Sequence, residues 1–477
     1  LGLTQRGRIE FARHGGKVNT DALDNSAGVD CSDHEVNIKI LLDHLVAQGR
    51  LDAERRNELL AEMTGEVASL VLADNYAQNL VLGVSRAHAP GMSLVHARLV
   101  TDLEQRAGLD RKLEALPTPG QFKTLAKEHQ GLTSPELASV LAHVKLDLKD
   151  DVLASDLPDL EVFARRLPDY FPSRLRAEFG NAIGAHPLCR EITSTLLVNE
   201  VVDGGGLSYA FRLREELSAS ATDAVRAFAV TTNVFELPDL WRDIRALDNA
   251  VPTEVTDRMQ LDIRRLLDRA SRWFLSNRPQ PLAVGAEISR FGRIVHELAP
   301  SVFDLLRGQA REDASGQTES LREQGVPESI GRRIATLLDV YALLDVIEIA
   351  ELAEREAYVA ERPHVETAEL YYALSDHLGI DRLLDAVSAL ERGNRWHALA
   401  RLALRDDLYS SVRAIEVDVL RHADAGDSPD TKIAKWEESN ASRLGRARAT
   451  LGELAKIGRL DLATLSVAAR QVRAMVR

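Results

Sequence analysis

One segment of the chain combines residue types and spacings that could do chemistry, and it lies between Asn25 and Glu35. It reads Asn-Ser-Ala-Gly-Val-Asp-Cys-Ser-Asp-His-Glu, and residues 15–30 are rich in Gly, Asn and Asp with no helical period. We predict a strand and a glycine-bearing turn over 17–30, and then a helix entered at Ser32. The free amides and the positive dipole end of such a helix entry attract a carboxylate or a phosphate.

Two interpretations of Ser32 stay open on spacing alone. In the simpler one, Ser32 or Asp33 only caps the helix, Glu35 completes a capping box, and His34 is a solvated first-turn residue. In the other, the Ser32 hydroxyl also donates a hydrogen bond to the bound anion. Spacing by itself favours the simpler interpretation.

Most other chemical motifs are absent from the sequence. Neither G-x-G-x-x-G nor G-x-x-x-x-G-K-[ST] occurs, so no complete phosphate-binding loop is encoded. The glycines at 204–206 follow a helical pattern and are typical of a helix C-cap. No C-x-x-C occurs, and the His-Glu pairs at 34–35 and 296–297 lack a second histidine at the zincin spacing. We therefore predict no metal site.

Charge and composition restrict the class of protein. The net charge is -14 and the pI is about 5.5, which disfavours nucleic acid and anionic membranes as main partners. The two cysteines, Cys31 and Cys189, fit a reducing compartment better than a disulfide framework. No stretch approaches ~20 consecutive apolar residues, and the first 30 residues lack the apolar segment of a signal peptide. These features predict a cytoplasmic protein.

Beyond Ser32 the hydrophobic pattern is almost entirely helical, so the sequence predicts a mainly α protein. Gly49 is predicted to end the first helix. The four tryptophans are predicted to be core or helix-packing anchors. Breaks between helices are predicted at 89–91, 277–281, 312–320 and 424–430.

The segment from Asn25 to Lys39 resembles the large bacterial NAD-specific glutamate dehydrogenases. The run at 2–12 and the run at 18–24 share this resemblance, which weakens after about residue 300. Further matching runs stand at 57–60, 63–64, 74–78, 132–137 and 195–202. The resemblance implies an enzyme that oxidatively deaminates L-glutamate to 2-oxoglutarate and ammonia, with NAD as the hydride acceptor.

The resemblance also implies roles for four residues. Ser32 would hydrogen-bond the side-chain carboxylate of glutamate, and Val29 would line the pocket for that side chain. Asn25 would lie near the nicotinamide end of the cofactor, with Gly28 as the second cofactor-binding residue. Where smaller glutamate dehydrogenases have a Gly-Gly pair, this chain has Ala27 before Gly28, so its backbone is expected to approach the ligand less closely.

Three neighbouring residues are given no part in the chemistry. Asp33 and His34 stand where the smaller enzymes have aromatic residues, so neither is assigned a catalytic role. Asp30 would repel a carboxylate, so we expect it to face away from the pocket. No catalytic residue is assigned in this chain, because the family's substrate lysines, catalytic aspartate and Gly-rich loop are expected upstream of Leu1.

From these arguments we predict three parts. Residues 1–48 would be the end of a Rossmann-like α/β domain that binds NAD, followed by a helical domain at 49–280 and a C-terminal helical domain at 281–477. The expected partners are L-glutamate or 2-oxoglutarate, the upstream catalytic part of the same protein, and a second copy in a homo-oligomer. The alternative is a non-catalytic helical module that regulates or assembles the enzyme.

Overall fold

The computed structural model describes residues 2–356, 358, 362–390, 394–454, 456–457 and 460–476. Within these ranges the regular secondary structure is entirely helical, which confirms the prediction of a mainly α protein. In the first half the helices are Gln5–Arg13 (α1), Asp21–Asp24 (α2), Ser26–Ala47 (α3), Ala53–Glu62 (α4), Thr64–Arg106 (α5), Pro119–Lys127 (α6), Ser134–Leu153 (α7), Glu161–Ala164 (α8), Ser173–Ile183 (α9), Cys189–Gly205 (α10), Tyr209–Leu217 (α11) and Ala221–Val234 (α12).

The first half also contains two short 3-10 turns, at 157–159 and 167–170. The remaining helices are Leu237–Arg245 (α13), Thr253–Asn277 (α14), Val284–Leu305 (α15), Gly308–Glu323 (α16), Glu328–Ala335 (α17), Leu337–Val340 (α18), Leu343–Arg355 (α19), Pro363–Leu378 (α20), Ile380–Ala389 (α21), Arg395–His422 (α22), Pro429–Leu454 (α23) and Leu462–Arg473 (α24).

The strand predicted within 17–30 is wrong. Residues 17–20 have no regular secondary structure, and α2 and α3 follow them, with Asn25 between the two helices. A single extended stretch needs a neighbouring strand to satisfy its backbone, and none is present in the described residues. This geometry gives no support to a Rossmann-like piece at 1–48.

The predicted helix entry at Ser32 is also wrong, because α3 begins at Ser26. Ser32 therefore lies inside α3, and Ser32, Asp33 and Glu35 form no cap or capping box. Residues such as Gly and Asn have poor helix propensity, but propensity is a weak preference that packing overrides. The predicted end of the helix is confirmed, since α3 stops at Ala47 and Gly49 has a φ of +65°.

Two other predicted breaks lie inside helices. The helix end predicted at 89–91 is wrong, because α5 continues through Pro90. This helix packs against α6 and α7. The polar stretch 312–320 is part of α16, whose buried Ala314, Thr318 and Leu321 repeat at helical spacing. The breaks at 277–281 and 424–430 are confirmed, and Gly206 forms the C-cap of α10 with a φ of 88°.

The described chain forms two compact units. Unit 1 contains Leu1–Ala229 and Ser271–Gly285, and unit 2 contains Val230–Ala270 and Ala286–Arg477. The predicted boundaries at 48 and 280 stay predictions. None of the helices among the described residues has both the length and the hydropathy that crossing a bilayer requires.

Each unit has its own buried core. In unit 1, one face of α3 supplies Leu41, Leu42 and Leu45, which pack with residues of α4, α9 and α10. In unit 2, Trp436 on α23 is completely buried, and α23 packs against α20, α22 and α24. Trp396 is 73% exposed, so its prediction as a packing anchor is wrong.

Candidate functional site

All four predicted site residues lie along one exposed face of α3, beginning at its N-cap. Asn25 is the N-cap, and Gly28, Val29 and Ser32 follow at helical spacing, with Val36 one turn further on. The side chains of Val29 and Val36 are 71% and 53% exposed, and Ser32 is exposed as well. We call Asn25, Gly28, Val29, Ser32 and Val36 the α3 stripe.

The Ser32 hydroxyl has only a weak contact within the chain. Its Oγ donates to the carbonyl oxygen of Gly28 at 3.5 Å, which is long for a hydroxyl hydrogen bond. The hydroxyl is therefore free to turn toward a ligand at little cost. An anion next to Ser32 would lie beside the second turn of α3, beyond the first turn in which the helix dipole acts most strongly.

Asn25 and Gly28 are packed against each other at the start of the stripe. A Cβ at Gly28 would stand 3.1 Å from Nδ2 and 3.3 Å from Oδ1 of Asn25, so the missing side chain makes room for the Asn25 amide. The Asn25 side chain makes no capping hydrogen bond to α3. Its amide therefore remains exposed at the helix entry.

The segment before α3 is held in place by Arg8, whose role the sequence argument missed. Arg8 is 5% exposed, and it donates to the carbonyl oxygen of Asn19 at 3.1 Å and to Oδ2 of Asp24 at 3.3 Å. It also pairs with Asp21. One guanidinium thus connects α1 to Asn19 and to α2, and so helps to fix where α3 begins.

Helix α5 holds the same segment from the other side. Asn75 donates from Nδ2 to the carbonyl oxygen of Leu23 at 2.9 Å, and the Nδ2 of Asn19 donates to Oδ1 of Asn79 at 2.8 Å. These hydrogen bonds from side-chain amides join residues that are more than fifty positions apart in the sequence. No local pattern signals them, although Asn75 lies in a run that carries the resemblance to the enzyme family.

The opposite face of α3 carries a buried polar cluster. His34 is 2% exposed and stacks on Tyr170, with the ring centroids 4.3 Å apart. Tyr170 donates to Oδ2 of Asp33 at 2.7 Å and accepts from Nδ2 of Asn37 at 2.8 Å. The interpretation of His34 as a solvated first-turn residue is therefore wrong.

Two carboxylates face His34 from α3 and α5. The Nε2 atom of His34 lies 3.8 Å from Oδ2 of Asp74, and Asp30 stands one turn before His34. One ligand atom from each of Asp30, His34 and Asp74 falls within 4.8 Å of the others. Asp30 thus points away from the α3 stripe. Its spacing to His34 is visible in the sequence, but Asp74 comes from another helix.

Burial and repulsion act on this cluster. Burial, and then the charge of Asp74, raise the pKa of Asp30 to about 6. Burial also raises the pKa of the Tyr170 hydroxyl far above its usual range, so Tyr170 is a hydrogen-bond donor at neutral pH. The cluster is therefore short of positive charge.

A cleft of about 840 Å³ lies elsewhere in unit 1, between α1 and the residues that follow α5. Its lining includes Arg13 and Arg111, which are already paired. Arg13 contacts the buried Glu136 at 3.3 Å, and Arg111 contacts Glu104 at 2.6 Å. These pairs leave the cleft less attractive to an anion than its arginine content suggests.

Two protein-family models match this chain, one at its N-terminal end and one over most of the remainder. A family model described as "Bacterial NAD-glutamate dehydrogenase, catalytic domain" matches residues 1–85, and one described as "Glutamate dehydrogenase, C-terminal" matches residues 129–474. The catalytic-domain match includes all of α3 and the first part of α5. It therefore contains both the α3 stripe and the buried cluster on the opposite face.

The chain is also similar to three curated proteins named NAD-specific glutamate dehydrogenase. It is 51% identical over 477 residues to the one from Mycobacterium tuberculosis, covering 100% of the chain and 29% of that protein. It is 37% and 35% identical over 472 residues to those from Pseudomonas aeruginosa and Halomonas elongata, covering 99% of the chain and 29% of each relative.

Proposed function

The chain belongs to the bacterial NAD-glutamate dehydrogenase family, and we propose that the full-length protein oxidatively deaminates L-glutamate to 2-oxoglutarate and ammonia. The observation that carries this proposal is the 51% identity to an NAD-specific glutamate dehydrogenase over the whole chain. The chain spans 29% of that relative, so it would supply one wall of the active site and the helical C-terminal region. Amino-acid catabolism in the cytoplasm is the setting that fits this reaction.

We propose that the α3 stripe binds the substrate side chain and the nicotinamide end of NAD. The Ser32 hydroxyl donates to the distal carboxylate of glutamate, and Val29 packs against the methylene groups next to it. Asn25 and Gly28 lie on the cofactor side, where the small Gly28 lets the Asn25 amide fold over the helix entry. Bound NAD supplies the hydride acceptor, and the stripe orients glutamate toward it.

The surface of residues 1–85 supports docking of the upstream catalytic part. Five large apolar side chains are exposed on this surface. They are Leu3 just before α1, Phe11 on α1, Val29 and Val36 on α3, and Leu72 on α5. Exposed apolar side chains of this size commonly mark an interaction surface. The upstream catalytic residues would cover this surface and complete the site.

A role in assembly is a second candidate function for the C-terminal helices. Trp396 on α22 and Leu462 and Val467 on α24 are exposed, and these two helices pack against each other. Their apolar surface favours contact with another copy, which would give a homo-oligomer. We expect Trp396→Ala to lower the oligomeric mass of the full-length protein in light scattering, whereas an unchanged mass would exclude Trp396 from the interface.

The proposed activity is tested by following NAD reduction with L-glutamate. We expect activity from the full-length protein and none from the isolated 477-residue chain, because hydride transfer needs substrate and cofactor held in contact. Circular dichroism would establish that the isolated chain is folded. Activity of the isolated chain would overturn the proposal that it supplies only one wall of the site.

A further inference from the structure

We propose that Asp30, His34 and Asp74 bind a divalent transition-metal ion between α3 and α5, on the face of α3 opposite the stripe. This site is independent of the proposed dehydrogenase activity. It consists of one imidazole and two carboxylates, a ligand set that suits Zn²⁺ and neighbouring first-row ions.

The spacing of the three side chains is close to what an ion needs. One ligand atom from each residue lies within 4.8 Å of the other two, and Nε2 of His34 is 3.8 Å from Oδ2 of Asp74. Two ligands of a tetrahedral ion at about 2.1 Å stand roughly 3.4 Å apart. A change of about 1.4 Å would close the difference. Asp74 is half exposed and can supply it by rotating its side chain.

The buried atoms of the cluster lack hydrogen-bond partners. Neither ring nitrogen of His34 has one among the described residues, although His34 is 2% exposed. The Oδ2 atom of Asp30 is likewise buried without a partner in this part of the chain. Unpaired buried polar atoms are costly, and a metal ion would satisfy all three side chains at once.

Charge points the same way. The carboxylates of Asp30 and Asp74 lie beside the imidazole of His34 and together carry a charge of up to −2. The other charged groups that act on Asp30 are Asp33, Lys145 and His34. Lys145 forms an ion pair with Asp203 at 2.9 Å, so its positive charge is already partly neutralised. A divalent ion would balance the charge of the two carboxylates.

The ion would join α3 to α5 and leave one side of its coordination sphere open to water. Asp30 and His34 are one turn apart on α3, and Asp74 comes from α5. The stacking of His34 on Tyr170 fixes the plane of the imidazole ring. An ion held in this way would restrain the same helix that presents Ser32, so its role is to position α3.

Zinc binding to the full-length protein tests the site, with zinc sulfate as the added ligand and equilibrium dialysis as the measurement. The variants are His34→Ala and Asp74→Asn, and His44→Ala is the matched control. His44 is an exposed histidine on the same helix that contacts Gln48. We expect His34→Ala and Asp74→Asn each to weaken one zinc site at least tenfold, and His44→Ala to leave it unchanged.

Cobalt absorption separates loss of a ligand from loss of the fold. One equivalent of Co²⁺ should give visible bands of a low-symmetry site in the parent and in His44→Ala, and none in Asp74→Asn. Because Asp74 is half exposed, its amide variant is expected to keep the parent circular dichroism spectrum. Equal zinc stoichiometry and affinity in all four proteins, or no site in the parent, would overturn the proposal.

Discussion

The two faces of α3 use their side chains in opposite ways. On one face, Leu42 and its neighbours are buried, His34 stacks on Tyr170, and Asn37 donates a hydrogen bond to the Tyr170 hydroxyl. On the other face, Val29 and Ser32 are exposed and have almost no structural task. Residues without a structural task that nonetheless carry the family resemblance are the ones expected to touch a ligand.

The largest effect should come from the buried face. Leu42 is 0% exposed within the core of unit 1, so Leu42→Ala should lower the free energy of unfolding by about 2–5 kcal/mol. Val36→Ala, on the stripe, should change it by less than about 0.5 kcal/mol. Urea unfolding of both variants checks this difference, and equal losses would mean that the stripe is itself packed in the full-length protein.

Ser32→Ala should have the next largest effect, and it should act on catalysis alone. Loss of a hydrogen bond to a charged group costs about 1.5–3 kcal/mol, so kcat/KM for glutamate should fall roughly tenfold to a hundredfold. Ser69 is a matched control, because it is exposed on a helix and donates to the carbonyl oxygen of Gly65 at 3.1 Å. If Ser69→Ala and Ser32→Ala have the same steady-state kinetics, Ser32 does not contact the substrate.

Asp30→Asn should remove a pH dependence of stability that arises on the buried face. Because the folded-state pKa of Asp30 is raised from 3.8 to about 6, its ionised form destabilises the fold above pH 6 and does so no longer below about pH 4. With a chelator present, Asp30→Asn should be more stable than the parent by about 1 kcal/mol at pH 7.5, after allowance for solvent screening.

The two proteins should have equal stability near pH 4. Thermal unfolding across this pH range measures the difference between them. A constant difference between pH 4 and pH 8 would show that Asp30 titrates normally.

Gly28→Ala should have the smallest effect and should move function and stability in opposite directions. The new Cβ would crowd the Asn25 amide, so KM for NAD should rise about threefold, equivalent to ~0.7 kcal/mol. Alanine also favours the helical state by up to about 1 kcal/mol relative to glycine. Gly65→Ala is the control, since nothing lies within 4 Å of its added Cβ. An unchanged KM for NAD would remove Gly28 and Asn25 from the cofactor side.

The sequence predicted the elements better than it predicted how they are joined. The helical period and Gly49 gave the end of α3, because both signals are local. The start of α3 was predicted wrongly. Asn and Gly are typical of turns, but a helix can also accept them at its N-cap and in its first turn, where Asn25 and Gly28 lie. The polar run at 312–320 was misread because its three buried residues are spaced among many polar ones.

The contacts that position the candidate site were not predictable from local pattern. Arg8 binds Asp24, and Asn75 binds the backbone of Leu23, through the folded chain rather than through adjacent sequence. The same holds for Asp74 opposite His34. The family resemblance named Asn25, Gly28, Val29 and Ser32, but their position on one helical face was not predicted, because 17–30 was predicted to be a strand and a turn.

Substrate selectivity tests the role of Ser32 most directly. L-norvaline has the same carbon chain as glutamate but ends in a methyl group, so it cannot accept a hydrogen bond from Ser32. In the full-length protein, Ser32→Ala should lower kcat/KM for L-glutamate roughly tenfold to a hundredfold and leave that for L-norvaline within about twofold. Equal losses for both substrates, or no loss for either, would contradict a contact between Ser32 and the distal carboxylate.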